Sequence, residues 1–395
     1  MKITNVKAIV TCPGRNYVLV KIETDEGISG FGDATLNGRE LAVAEILDKH
    51  IAPLLQDTDP DRIEDTWQYI FRGTYWRGGP VLMTALAGID MALWDIKGKK
   101  SNLPLYSLLG GKSRNKVLCY THVSGRDFKE VAANVVQYME RGYKALRVQV
   151  GIPGCVGTYG IENDPGDLPF VEEWEPRPYL QTIPRLLEYL RAEVGFELEL
   201  LHDVHERLTP VEAKILAKDL EPYQLFFLED PLRPEHKESF SVIRQGAAIP
   251  IAMGELFNTK WDCTTLFEKQ LIDYIRCDIS HIGGVTEARK IANWAEIYHI
   301  KTAWHGPSDI SPISHLANVH LDLAVTNFGI QEQCQFEPQV KDVFSAVPIF
   351  KDGYLTVPDK PGIGCEIDET AAARYPYKRS YLPVSRRKDG TVQDW

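Results

Sequence analysis

The sequence predicts an α/β protein: a (β/α)8-type barrel, that is, a modified TIM barrel, with an N-terminal α+β capping domain. The first 35 residues alternate apolar and polar side chains as an antiparallel hairpin does. From about residue 116, short apolar runs alternate with amphipathic helical segments, which is typical of parallel strands joined by crossover helices. The number of runs and their tight spacing favour a closed barrel over an open sheet.

The predicted capping domain comprises residues 1–115. Val18, Val20 and Ile22 share one face of a strand, and the letters "DEG" supply the turn that follows. Helical periodicity then extends over three segments, at about residues 39–55, 60–71 and 80–100. Three strands followed by helices predict a compact α+β unit.

The predicted barrel comprises residues 116–345, and a tail of residues 346–395 is predicted to pack back on the capping domain. Beyond the first strand, the apolar runs that predict barrel strands lie at 144–151, 197–204, 224–230, 249–255, 272–278, 300–306 and 328–333. An aperiodic segment, 152–180, follows the second strand. A loop of that length at the mouth of a barrel is usually functional.

Composition and charge exclude several classes of protein. The net charge is −11 and the basic residues are scattered, which argues against nucleic-acid binding. Apolar runs stay shorter than the roughly 18 residues of a membrane span, and the N-terminus lacks a signal-peptide core. These features predict a cytoplasmic protein without a membrane partner. The seven cysteines are widely spaced and form no CxxC, so free thiols are expected.

Three carboxylates close three consecutive predicted strands. Asp203, Glu229 and Glu255 follow one another at intervals of 26 residues, one strand–helix unit each. The carboxyl ends of barrel strands converge on one mouth. Like charges cannot share a small dry site without a cation, and all-oxygen ligation suits Mg²⁺. The sequence therefore predicts a magnesium site at this mouth.

The stretch "LLHDVHERL" places two further candidates, His202 and His205, on either side of Asp203. Because side chains alternate along a strand, Asp203 and His205 should share a face, and His202 should point away into outer packing. The same rule directs other residues of the strand ends into the mouth: Arg147, Arg276, His305 and Glu332.

The sequence resembles the enolase superfamily and, within it, the mannonate dehydratase subgroup, over nearly the whole chain. The superfamily resemblance rests on "ALAGIDMALWDIKGK", "PLYSLLGG", "LHDVHE", "FLEDPLRP" and "GELFNT". The subgroup resemblance rests on "RVQVG", on His205, on Tyr159 in the long loop, on "AWHGPSD" and on the C-terminal Trp395. It implies a Mg²⁺-dependent dehydratase that converts D-mannonate, D-gluconate or both to 2-keto-3-deoxy-D-gluconate. It further implies a homo-oligomer built from dimers, up to an octamer.

The resemblance also implies roles for individual residues. Tyr159 would be the base that abstracts the α proton, Arg147 would favour its phenolate, and His205 would protonate the departing 3-hydroxyl. The implied substrate contacts are Asn37, His122, Arg276, His305, Asp309, Glu332 and Trp395. The residues alone favour Asn37 as a turn residue, equally allow His122 as a core histidine, and allow Trp395 as a terminus without a site role.

Two alternatives stay open from the sequence. Asp278 and His305 resemble the His–Asp pair of superfamily racemases, so an epimerase acting on a carboxylate substrate is the first alternative. The second alternative is a protein with little or no catalytic activity, and it rests on Pro307 in "WHGPSD". The resemblance implies that members with proline there are slow, accept D-gluconate or leave these acids unchanged. A catalytically weak regulatory or binding protein is therefore also consistent.

Overall fold

The chain begins with a three-stranded antiparallel sheet. The computed structural model describes residues 1–153 and 171–394. Its first strands are β1 (Ile3–Thr11), β2 (Tyr17–Thr24) and β3 (Ser29–Asp33), in the order β1-β2-β3. As the alternation predicts, Val18, Val20 and Ile22 are buried together in one apolar cluster.

Helices cover one face of this sheet. They are α1 (Glu40–Ile46), α2 (Ala52–Leu55), α3 (Ile63–Gly73), α4 (Pro80–Ser101) and α5 (Leu105–Leu108), with a π-helical turn (Leu47–Ile51) between α1 and α2. The helix α4 packs closely on β3: a Cβ at Gly32 would lie 1.9 Å from the carbonyl oxygen of Gly88. Glycine at position 32 is therefore required for this packing.

A closed parallel barrel follows. In the described part of the chain, nine strands follow one another, and all but β6 belong to the barrel: β4 (Val117–Val123), β5 (Ala145–Val148), β6 (Val171–Glu173), β7 (Glu199–Asp203), β8 (Leu228–Glu229), β9 (Ile251–Met253), β10 (Tyr274–Ile275), β11 (Lys301–Thr302) and β12 (Gln331–Glu332). The strand order β11-β10-β9-β8-β7-β5-β4 is completed by β12, which pairs with β4. A parallel bridge between Thr302 and Phe328 closes the ring, so the predicted barrel is confirmed.

Helices connect the barrel strands on the outside. The α-helices are α6 (Phe128–Glu140), α7 (Pro176–Val194), α8 (Pro210–Leu220), α9 (Phe240–Arg244), α10 (Thr264–Glu268), α11 (Gly284–Ile297) and α12 (Pro312–Ala324). Short 3-10 turns lie at Glu221–Tyr223, Pro234–Ser239 and Lys260–Cys263. Thr209 and Glu212 form a capping box at the start of α8, which fixes the point where the chain leaves the barrel mouth.

The long connection after β5 ends earlier than the sequence predicts. An aperiodic segment was expected up to residue 180, but β6 begins at Val171 and α7 begins at Pro176. The prolines of this stretch suggest a loop when they are taken as helix breakers. In the first turn of a helix, however, proline is favoured because its missing N–H has no helical partner there.

The tail contacts both the capping sheet and the barrel. After α13 (Val340–Val343), its elements are β13 (Ile349–Lys351), β14 (Tyr354–Thr356), α14 (Glu369–Ala372) and β15 (Val384–Arg386), and β14 pairs with the barrel strand β4. The Thr11 hydroxyl donates to the carbonyl oxygens of Ala372 and Tyr375, so the middle of the tail lies against the capping sheet. The strand β15 instead pairs with β6. The limits 1–115, 116–345 and 346–395 stay a prediction.

Among residues 1–153 and 171–394, each helix is too short or too polar to cross a bilayer.

Candidate active site

Strand ends place the predicted ligands together at the barrel mouth. Asp203 ends β7 and is paired in register with Glu229, which ends β8, while Glu255 follows β9 by two residues. All three side chains are buried. The regular spacing in the sequence therefore corresponds to adjacency in space.

Two arginines lie among these carboxylates. The Nη1 atom of Arg147 lies 2.6 Å from Oδ2 of Asp203 and 3.0 Å from Oε1 of Glu229. The Nη2 atom of Arg276 lies 2.5 Å from Oε1 of Glu229 and 3.6 Å from Oε2 of Glu255. Glu229 thus pairs with both guanidinium groups, whereas Asp203 and Glu255 each pair with one of them.

Two groups of side chains have ligand atoms close enough to share a metal ion. Within the described part of the chain, one atom of each member lies within 4.8 Å of the others in the sets Asp203–His205–Glu255 and Glu206–Asp230–Glu255. Glu229 belongs to neither set, because it faces the arginines. The predicted ligand set of Asp203, Glu229 and Glu255 stays a prediction, and the geometry adds His205 as a rival for the third position.

The buried oxygens of this region fit a divalent cation. Oδ2 of Asp230 and Oε1 of Glu206 accept no hydrogen bond from the residues that the structure describes. Burial raises the pKa of Glu229 to about 7 and those of Asp230 and Glu255 to about 8, and neighbouring carboxylates add to the effect. A bound cation would keep such groups ionised at neutral pH.

His205 reaches Asp203 by a turn rather than by the strand. The strand β7 ends at Asp203, and His205 has a left-handed backbone with φ 52°. Its Nδ1 lies 2.7 Å from Oδ2 of Asp203, and its backbone N–H donates to Oδ1 at 2.8 Å. Burial, reinforced by Arg147, lowers the pKa of His205 well below its usual value. Strained backbone of this kind is concentrated at functional sites.

His202 lies on the outer face of β7, as the alternation predicts. It is fully buried; its Nδ1–H donates to the carbonyl oxygen of Val148 at 2.9 Å, and its Nε2 accepts from the Tyr179 hydroxyl at 2.7 Å. Burial lowers the pKa of His202 to about 4, so the imidazole is neutral. Its role is to join β7 to α7.

Replacing His202 with alanine is expected to lower the free energy of unfolding by about 2–4 kcal/mol, because it leaves a cavity and two unpaired polar groups. The value of kcat/KM should change by less than about threefold, since the side chain faces away from the mouth. Urea denaturation followed by circular dichroism measures the first quantity. A large loss of kcat/KM in a variant that is still folded would contradict this assignment.

A second network fills the space between β4, β5 and β12. His122 Nε2 contacts Oε1 of Glu332, and Nη2 of Arg147 lies 3.2 Å from His122 Nδ1. Oε2 of Glu332 accepts from Arg276 at 3.1 Å and from the backbone N–H of Gly306 at 2.8 Å. Although burial opposes it, Arg276 holds the pKa of Glu332 well below its usual range. His122, Arg276 and Glu332, predicted substrate contacts, are thus brought together.

His305 and Asp278 form a pair across the ends of β10 and β11. His305 Nδ1 lies 2.7 Å from Oδ2 of Asp278, and its Nε2 lies 3.4 Å from Oε2 of Glu255. Burial would lower the pKa of His305, but the carboxylates of Glu255, Glu332 and Asp278 raise it to about 10. These carboxylates thus favour the protonated form of His305.

The capping domain contributes the far side of the mouth. Nδ2 of Asn37 donates to Oδ2 of Asp309 at 2.7 Å, which joins two predicted substrate contacts. Tyr159, the predicted base, lies outside the described residues, and so does Trp395, a predicted substrate contact.

A small cleft lies beside His205. Its lining includes Trp174, Tyr179 and Arg207, which the sequence analysis did not select. These three residues, like Glu206 and Asp230, carry no sequence signal. Tyr179 lies on α7 and the others lie in loops or turns, where the alternation of a strand does not apply. Gln149 has such a signal: it follows Arg147 by two residues, and its Nε2 donates to the Asp203 carbonyl oxygen at 2.9 Å.

An eight-stranded parallel barrel with acidic side chains at its mouth and an α+β cap above it is typical of barrel enzymes that bind a metal ion. The chain belongs to the enolase superfamily. Residues 130–371 match the family model described as enolase C-terminal domain-like. Residues 3–110 match the N-terminal domain model of mandelate racemase / muconate lactonizing enzyme.

Named relatives narrow the class. The chain is 50% identical to a D-mannonate dehydratase of Caulobacter vibrioides and 51% identical to a D-galactonate dehydratase family member of Cellvibrio japonicus, in each case over 100% of both chains. A crystal structure of an enolase from Pantoea ananatis with bound D-gluconate and Mg is 47% identical. It has a TM-score of 0.94 and covers 100% of this chain and 99% of that one. The chain is thus a carbon–oxygen lyase of the dehydratase type.

Proposed function

We propose that this protein dehydrates a sugar acid, D-mannonate, D-gluconate or both, to 2-keto-3-deoxy-D-gluconate with Mg²⁺ as its cofactor. The observation that carries the proposal is the position of His205, 2.7 Å from Oδ2 of Asp203 and in one ligand set with Glu255. An imidazole beside the cation site lies where it could give a proton to the leaving hydroxyl group of a substrate bound there. The names of the relatives and the D-gluconate of the Pantoea structure agree with this chemistry.

Asp203 and Glu255 would hold the cation, with Glu229 as the predicted third ligand. When bound, Mg²⁺ supplies positive charge that offsets the charge developing on the substrate carboxylate as the α proton leaves. The buried arginines contribute in the same sense, because Arg147 and Arg276 keep fixed positive charge at the mouth. We propose Tyr159 as the base, with Arg147 favouring its phenolate.

His205 is proposed as the general acid for the 3-hydroxyl. Burial keeps the free imidazole neutral, so it must gain a proton during turnover before it can deliver one. Oδ2 of Asp203, 2.7 Å from Nδ1, would stabilise the imidazolium that results. The remaining predicted contacts would orient the polyol: Asn37, His122, Arg276, His305, Asp309, Glu332 and Trp395.

The His305–Asp278 pair keeps an epimerase as a second candidate. The separation of 2.7 Å suits a histidine base oriented by a carboxylate. A base must be neutral, however, and the surrounding carboxylates raise the pKa of His305 to about 10. The carboxylates therefore favour the protonated form of His305 over the neutral form that a base requires.

Incubation of the Mg²⁺-loaded protein with a panel of sugar acids tests the proposal. We expect 2-keto-3-deoxy product from D-mannonate or D-gluconate, loss of activity with EDTA and recovery with added Mg²⁺. In ²H₂O, exchange of the α proton without keto product would instead support epimerisation. Silence across the panel with the cation bound would support the regulatory alternative that Pro307 suggests.

We also propose that the protein forms a homo-oligomer built from dimers and that it is located in the cytoplasm. Tyr75 and Trp76 in the capping domain are 80% and 84% exposed, and Trp261 nearby is 56% exposed. Aromatic side chains of this size are enriched at interfaces between chains. Sedimentation equilibrium would measure the assembly state.

A further inference from the structure

The segment that follows β11, residues 305–311, is held from two sides. On the barrel side, the carbonyl oxygen of Pro307 contacts Nε2 of His315 at 2.9 Å, and that of His305 accepts from Nδ2 of Asn318 at 3.0 Å. On the cap side, the Tyr17 hydroxyl donates to the carbonyl oxygen of Ser308 at 3.3 Å. The backbone of this segment is thus fixed without help from Asp309.

The side chain of Asp309 is held by two groups of the capping domain. Nη1 of Arg15, in the loop between β1 and β2, lies 2.7 Å from Oδ1 of Asp309. Nδ2 of Asn37 lies 2.7 Å from Oδ2. The side chains of Arg15 and Asp309 are 45% and 33% exposed, so this ion pair lies at the open edge of the mouth.

We propose that Arg15 is a positioning residue that orients the Asp309 carboxylate toward a hydroxyl group of the sugar acid. The inference rests on the proposed function. A substrate hydroxyl can take the place of the Asn37 amide on Oδ2, because one neutral donor replaces another there. The charged partner stays on Oδ1 and keeps the carboxylate aimed at that hydroxyl group. Arg15 acts through Asp309 and does not itself touch the substrate.

A purely structural role fits the geometry less well. A partly exposed ion pair contributes little to the free energy of unfolding, and the backbone of 305–311 has its own partners on both sides. Loss of Arg15 should therefore free the Asp309 side chain while the fold stays intact. Loss of Arg15 should therefore weaken substrate binding and leave the rate of the chemical step nearly unchanged.

The test compares Arg15→Gln with the wild-type holoenzyme, using the sugar acid that the wild type converts. We expect KM to rise about fivefold, kcat to change by less than about twofold, and the melting temperature to stay unchanged. Arg15→Lys should restore most of the wild-type KM, because it keeps the charge. In an Asp309→Asn background, Arg15→Gln should add little further increase, since its effect runs through the carboxylate.

The matched control is Arg62→Gln in the same capping domain, where the guanidinium forms an exposed pair with Asp65. It should leave KM unchanged. If Arg15→Gln raises KM no more than Arg62→Gln does, or lowers kcat and the melting temperature together, the positioning role is wrong.

The position of the Asp309 side chain separates this inference from the proposed function. If the wild type converts none of the acids, the proposed function fails. The role of Arg15 is then decided by crystal structures of the free Arg15→Gln and Arg62→Gln variants. A displaced Asp309 carboxylate in Arg15→Gln alone supports the contact with Asp309, and an unchanged carboxylate in both variants overturns it.

Discussion

Replacing Asp203 with asparagine is expected to abolish divalent-cation binding and turnover together. Asp203 belongs to the predicted ligand set and to the observed set with His205 and Glu255, so both arrangements depend on it. The amide keeps the shape of the side chain but removes its charge. We expect cation affinity to fall at least about 100-fold and kcat/KM more than about 1000-fold, because the cation supplies several kcal/mol of charge stabilisation.

Isothermal titration with Mn²⁺ or Mg²⁺ measures the first loss, and the keto-acid assay measures the second. Asp219→Asn, on the exposed face of α8, is the matched control and should bind the cation normally. Circular dichroism must show both variants folded. Wild-type cation affinity in Asp203→Asn would contradict the placement of the metal site.

Glu229→Gln then distinguishes the two ligand sets. If Glu229 is the third ligand, as the sequence predicts, this variant loses cation affinity as Asp203→Asn does. If His205 completes the set, Glu229→Gln keeps most of the affinity. Its kinetic defect would then arise from the altered pairing of Arg147 and Arg276, which flank Glu229 at 3.0 and 2.5 Å.

The predictive power of the sequence ends where the strands end. Strand alternation predicts that Asp203 faces the barrel mouth and that His202 faces the outer helices, and the structure shows both orientations. The chain turns after Asp203 and again after Glu229: His205, Glu206 and Asp230 have φ 52°, 57° and 39°. A residue in left-handed backbone no longer follows the two-residue period. His205 still contacts Asp203. Glu206 and Asp230 also lie at the barrel mouth, although the alternation of apolar and polar residues does not predict them there.

Contacts between distant segments were also beyond the sequence. Arg15 and Asp309 are far apart in the chain, and their ion pair arises only because the cap lies over the strand ends. Family resemblance suggested Asn37 and Asp309 separately, without the bond between them. Spacing can predict which residues reach a barrel mouth, because the barrel repeats. The junction of two different domains has no such repeat.

Replacing His205 with asparagine is expected to separate the two halves of the reaction. Asparagine tolerates left-handed backbone, so the turn at φ 52° should persist. The amide is no proton donor of useful acidity, and loss of a general acid lowers the rate by about 100- to 10,000-fold. Dehydration should fall by that factor. Abstraction of the α proton should continue, because it depends on the base and on the charge at the mouth.

Proton NMR in ²H₂O measures exchange of the α proton, and the keto-acid assay measures product in the same sample. We expect exchange within about tenfold of the wild-type rate while keto product nearly disappears. Metal titration is the necessary companion, because His205 also lies in a candidate ligand set. If His205→Asn loses cation affinity and exchange together, His205 is a ligand and not the acid. If it keeps the cation and loses only elimination, the 2.7 Å contact with Asp203 serves to hold a protonated imidazole beside the leaving hydroxyl.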